Sequence, residues 1–119
     1  MEDASPELDL IFVALSHSVR RRIIKILSFR PSTPKELASE LGLSLQMTGK
    51  HLDALSQAKL IRRQKTGRTN FVGFRARIMR ETQEWINQFR TEWSSDQETL
   101  ENYIAFMTSE DREDENLAQ

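Results

Sequence analysis

Apolar residues recur at helical spacing four times before residue 58, then at strand spacing, then at helical spacing again. Leu8, Ile11, Phe12 and Leu15 predict a short first helix opening near Ser5-Pro6. Val19, Ile23, Ile26 and Leu27 predict a second, with Ser16 or Ser18 as its cap. Pro31 and Pro34 interrupt the pattern, because proline disfavours helix interiors. Thr33-Pro34-Lys35-Glu36 then places a hydroxyl, a proline and a glutamate where a helix start wants them. The third helix carries Leu37 and Leu41 and ends at Gly42, a residue suited to a C-terminal cap. Ser44 can cap a fourth helix whose Thr48, Leu52 and Leu55 face inward, with Leu45 near the edge. Two short helices joined at Gly42-Leu43-Ser44 form a helix-turn-helix pattern, with Leu43 able to fill the space between them.

The period then changes. Residues 60–65 and 71–75 are strand candidates around a turn at 66–70, where Gly67 supplies positive φ. Val72 and Phe74 alternate with Phe71 and Gly73, so one pair can face a core. The hairpin carries Lys65 and Arg68 near its tip, as a wing would. From about Ala76 the helical period returns, with Ile78, Thr82, Trp85, Ile86, Phe89 and Trp93 on one stripe. Leu100, Ile104 and Met107 continue its phase, with Tyr103 beside them. Ser95-Asp96-Gln97-Glu98 resembles a capping box that would start a separate helix. The unbroken phase favours instead one long helix with a soft spot at Ser94-Ser95. The fold class expected is mainly α with a β-hairpin wing (α+β), a winged helix-turn-helix over residues 1–108. Residues 109–119, polar and acidic, are expected to be a disordered tail.

Charge sharpens this picture. The 119 residues suit one domain, and their net charge of −1 hides an asymmetry. Residues 1–15 hold four acids and no Lys or Arg; residues 16–80 hold 15 Lys/Arg against three acids; residues 81–119 hold two Arg against 11 acids. A cationic middle with so few interleaved acids is the footprint of a polyanionic partner rather than of solvated helix faces. The absence of cysteine excludes disulfides and thiolate metal sites. No apolar run reaches the roughly 20 residues of a membrane span, and the acidic N-terminus lacks the build of a signal peptide. A cytoplasmic protein is expected.

A helix in a DNA major groove shows its polar face to the bases while its apolar face holds it to the domain. On the fourth helix the polar side carries Ser44, Gln46, Met47, Gly49, Lys50 and Asp53. Gln46 can donate to and accept from adenine, Lys50 can reach a guanine edge or a phosphate, and Met47 can touch a thymine methyl. Gly49 costs the helix about 1 kcal/mol, which equally fits an indifferent surface position or close approach to DNA. His51, beside the core Leu52, reads as a packing or phosphate-contact residue. Lys65 and Arg68 suit phosphates or a narrow minor groove. Thr33 and Lys35 open the third helix, whose free N–H groups attract phosphate. Arg20, Arg21 and Arg22 cannot all face one way. With only His17 besides His51, a metal site has too few ligands. No phosphate-binding Gly loop, Cys nucleophile or Ser with a partnered base occurs, so neither an enzyme nor a cofactor is expected.

These residues resemble the winged-helix regulators of the arsenical-resistance (ArsR) family over about residues 8–93. The resemblance rests on Ala14-Leu15 followed by Arg20-Arg21, on residues 36–44, on Lys50-His51-Leu52 where the family often has Arg-His-Leu, and on Thr66-Gly67-Arg68 in the wing. The aromatic-rich stretch at 84–93 is similar to that of members without metal sites. The resemblance implies a homodimeric DNA-binding repressor, with first and last helices forming the dimer seam. Leu8, Ile11, Phe12, Trp85, Ile86, Phe89 and Trp93 are the expected dimerisation residues. Three departures stand out. His17-Ser18 replaces the common Asp-Pro. Lys59 replaces a common Gly. The positions aligned with the metal-sensing Cys pair hold Thr33 and Lys35, and no His follows His51. The partners expected are double-stranded DNA and a second copy, with room for an unnamed small-molecule or protein effector. A protein-interaction module is the competing reading, but it has no need of the cationic middle. A single-strand binder would need more exposed aromatics than Phe71.

Overall fold

The computed structural model describes residues 5–89 and 97–118, except for the side chains of 97, 98 and 110–118. Helices α1 (Pro6–Leu15), α2 (Ser18–Leu27), α3 (Pro34–Leu41) and α4 (Leu45–Gln57) precede strands β1 (Ile61–Thr66) and β2 (Thr69–Phe74). Helices α5 (Ala76–Asn87) and α6 (Gln97–Ala118) follow. The chain divides into two units, residues 1–88 and 89–119. No described helix is long and apolar enough to cross a membrane.

Local chemistry sets most helix limits in the first unit. Ser5, Thr33 and Ser44 each accept a backbone N–H from three residues on, at 3.0–3.1 Å. The expected serine caps of α2 are not used: the cap is His17, whose Nδ1 accepts the Val19 N–H at 3.2 Å. Its ring nitrogen does the work of the acidic cap whose place it takes. Helices α3 and α4 close alike. In α3 the Leu43 N–H reaches the Ala38 carbonyl, and in α4 the Leu60 N–H reaches that of Leu55, each past a left-handed residue. In α3 that residue is Gly42 (φ 68°); in α4 it is Lys59 (φ 60°).

The core of this unit joins Ile11 and Ala14 of α1, Ile23 and Leu27 of α2, Leu37 of α3, and Leu52 and Leu55 of α4. Leu60, Ile61, Val72 and Ile78 extend it under the hairpin. Each such Leu, Ile or Val side chain contributes about 1.5–3 kcal/mol through burial. The strands pair antiparallel from Ile61 opposite Phe74 to Thr66 opposite Thr69. Gly67 (φ 63°) opens the two-residue turn, where hairpin geometry favours glycine. Ser32, itself buried, exchanges both backbone hydrogen bonds with Val72 at 2.8 and 3.1 Å, tying the base of the hairpin to the α2–α3 loop.

The final helical region departs from expectation. The long helix favoured by the apolar phase is absent: α5 ends at Asn87, where the Gln88 N–H turns back to the Trp85 carbonyl at 3.2 Å. A break that preserves phase leaves no mark in the periodicity. Ser94-Ser95 and the first two residues of the suspected capping box lie outside the described residues. The tail expected to be disordered is helical as far as Ala118. Residues 97–118 contain neither Gly nor Pro and are rich in good helix formers, so nothing local stops the helix despite its acidic end.

Candidate nucleic-acid interface

Helix α4 is anchored by one face and open on the other. Thr48, Leu52 and Leu55 are fully buried, and the Thr48 hydroxyl donates to the Ser44 carbonyl at 2.9 Å. Ser44, Gln46, Met47 and Lys50 are exposed together near its start. Gly49 is half-buried, and a β-carbon built there would meet nothing within 4 Å of the chain. The open space lies outside the protein, so packing does not explain the glycine.

On the hairpin, Lys65 and Arg68 are exposed, and neither forms an ion pair with a described residue. The register puts Ile61, Arg63 and Lys65 on the face shared with Val72 and Phe74, and Arg62 and Gln64 on the other. Arg63 bonds Asp53 of α4 at 2.9 Å. That pair is partly exposed and worth at most about 1 kcal/mol, but it ties β1 to α4. Asp53 is therefore a partner of the wing rather than a free acid on the exposed face of α4. Lys35 is exposed at the start of α3, and Thr33 is half-buried there with its hydroxyl engaged by Glu36.

His51 does not join the exposed set. It is 8% exposed and turned towards α2, where the Arg20 Nε–H donates to its Nδ1 at 3.3 Å. The His17 ring lies against it, with centroids 4.5 Å apart. Burial above all, then the neighbouring His17 and Arg20, hold the His51 ring's pKa below the usual histidine value. It is a packed histidine, because one residue of helical rotation separates it from Lys50.

Two of the residues expected at a dimer seam do not reach the surface. Leu8 (3% exposed) and Ile11 (1%) belong to the chain's own interior, since the stripe they share with Ala14 faces it. Leu10, Phe12 and Val13 are the exposed apolar residues of α1, and Ile86 is exposed on α5. Phe12 packs edge-on against half-buried Trp85, with centroids 5.6 Å apart. Phe89 is exposed, and Trp93 lies outside the described residues.

The comparisons with known proteins agree with this geometry. A family model described as a helix-turn-helix domain matches residues 15–64. The crystal structure of an ArsR family transcriptional regulator superposes with a TM-score of 0.70 at 28% identity, covering 81% of this chain and 99% of that one. An ArsR-like transcriptional regulator from Rhodococcus sp. RHA1 gives 0.67 at 26%, covering 87% and 91%. The chain therefore has the winged helix-turn-helix fold and is similar to ArsR-family regulators. A homodimeric winged helix-turn-helix DNA-binding domain from Mycobacterium bovis, at 16% identity, shares the fold with a TM-score of 0.60 over 81% of this chain and 98% of that one. Among curated proteins none matches in sequence. In that fold α4 is the second helix of the helix-turn-helix and β1–β2 is the wing hairpin.

Sequence reasoning missed two further contributors. Arg20 and Arg21 donate to the Val13 and Leu15 carbonyls at 3.2 and 2.7 Å, closing the C-terminus of α1. That helix has no basic residue in its last turn, so the arginines just beyond it were the available donors. The Arg63–Asp53 pair was foreshadowed by strand alternation from Ile61, which sends residue 63 towards α4.

Proposed function

We propose that the chain is a homodimeric, sequence-specific DNA-binding transcriptional repressor. The observation that carries this reading is a helix buried on Thr48, Leu52 and Leu55 that offers Gln46, Met47 and Lys50 beside a basic hairpin. Helix α4 enters the major groove, where Gln46 reads adenine, Met47 meets a thymine methyl, and Lys50 reaches guanine or phosphate. Gly49 lets the helix approach closely. Lys65 and Arg68 engage phosphates or the minor groove, while Thr33, Lys35 and the start of α3 hold a phosphate. No catalytic role is proposed.

Two copies associate through the exposed apolar residues of α1 and α5, with Phe12 and Ile86 at the centre. Phe89 and Trp93 extend the same sequence stripe. A twofold dimer requires a pseudo-palindromic site whose half-sites lie roughly 34 Å, or a multiple, apart. The test is a fluorescence-anisotropy titration against a duplex from the gene's own upstream region and a scrambled duplex, each at two salt concentrations. Tight binding to the native duplex that weakens with salt is expected. Equal binding to both would replace the specific regulator with a non-specific, architectural role. No binding to either at low salt would turn the reading to a protein-interaction module.

A further inference from the structure

The Arg20 side chain joins three elements. Its Nε–H donates to His51 on α4, its Nη1–H donates to the Val13 carbonyl at the end of α1, and its own backbone belongs to α2. A guanidinium is always charged and can only donate. The His51 Nδ1 must therefore be unprotonated to accept, which puts the ring's remaining proton on Nε2. A proton added at Nδ1 would set donor against donor and cation against cation, in a ring only 8% exposed. The charged and titratable groups that face the ring are Arg20 on α2 and His17 at the α1–α2 junction, and both oppose its charging. Among the described residues no carboxylate compensates: Asp53, two residues on in α4, is exposed and held by Arg63.

We infer that Arg20 and His51 are positioning residues for the recognition helix, and that protonating His51 breaks this tie and weakens DNA binding. The inference rests on the regulator reading above and adds a proton response to the same interface. His51 lies one residue from Lys50 and one turn from Met47, so a shift at the ring is transmitted to the residues that meet the bases. The other arm of Arg20 ends on Val13, beside Phe12 of the proposed dimer seam. The tie thus links the seat of the recognition helix to α1.

The experiment is duplex binding by the full chain at about pH 7.5 and about pH 5.5, a range that spans ordinary histidine titration. The wild type is expected to bind about threefold more weakly at the lower pH, where the His51 ring, harder to charge than an ordinary histidine, is only partly protonated. His51→Asn keeps an acceptor near the Nδ1 position but cannot titrate; its ratio between the two pH values should stay within about twofold. His17→Asn, which retains a helix cap and removes one group that opposes charging of the His51 ring, should show a fall at least as large as the wild type's. A flat wild-type profile, an equal fall in His51→Asn, or a fall abolished by His17→Asn overturns the proposal.

Histidine ring titration by NMR on the DNA-free chain tests the tie without relying on a variant's folding. The His51 ring should titrate below the usual histidine value, and Arg20→Met should move it upward. An ordinary value in the wild type overturns the proposal. Absence of duplex binding at every pH would overturn the regulator reading and this inference together, and the ring titration would still separate that failure from absence of the tie.

Discussion

Lys59 sits where the backbone penalises any side chain. At φ 60° its β-carbon crowds the following carbonyl, while Gly42 closes α3 in the same way without a β-carbon. Lys59→Gly should raise unfolding stability by about 1 kcal/mol, read as a higher urea midpoint at unchanged slope; a lower midpoint would show that the lysine side chain is itself needed. His51 carries a pH dependence of stability as well. With its pKa below the usual value, the folded chain binds fewer protons than the unfolded chain between those two values. Stability should therefore be fully present above about pH 6.5 and should fall as pH drops through that window. Thermal melts of the wild type and of His51→Asn across it should diverge, the variant changing less.

Helix α4 shows how one element can be tuned for stability and for contact at once. Ser44→Ala removes the oxygen that satisfies the Met47 N–H and should cost about 1 kcal/mol. Gly49→Ala should act oppositely on folding, gaining about 1 kcal/mol, because the new methyl meets no part of the chain. If α4 docks as proposed, that same methyl weakens duplex binding; a variant both more stable and equally tight would return Gly49 to an indifferent surface position. Lys50→Ala and Arg68→Ala should each weaken binding and lower the salt slope by about one unit. Anisotropy at four salt concentrations reads both effects, and unchanged binding in both variants would remove helix and wing from the interface.

At the scale of the molecule, burial sorts the apolar residues of α1 by purpose. Leu8 and Ile11 hold the chain's own core, while Val13 (61% exposed) and Ile86 (52%) remain outside it. Sedimentation should show a dimer for the wild type and a folded monomer for Val13→Asp combined with Ile86→Asp. A dimer that persists would place the seam elsewhere. Leu8→Asp should instead unfold the chain, since an unpaired charge would enter the core. The charge asymmetry acts at this scale too. The acid-poor middle coincides with α2 to the start of α5, so the wing and α4 both lie in the basic part of the chain.

Much of the winged fold is legible in the amino-acid sequence. Thr33, Gly42, Ser44 and Gly67 act on backbone groups within a few residues, so their chemistry alone placed the ends of α3, the start of α4 and the wing turn. The helical stripes were legible for the same reason, since period follows from geometry along one element. Tertiary structure alone decided which neighbour each stripe would meet. It put Leu8 and Ile11 inside, chose His17 over two serines, and ended α5 at Asn87. It also brought Arg20 to His51 across 31 residues. Such choices depend on what lies opposite in space, and a side chain's reach across the fold leaves no periodic trace in the chain.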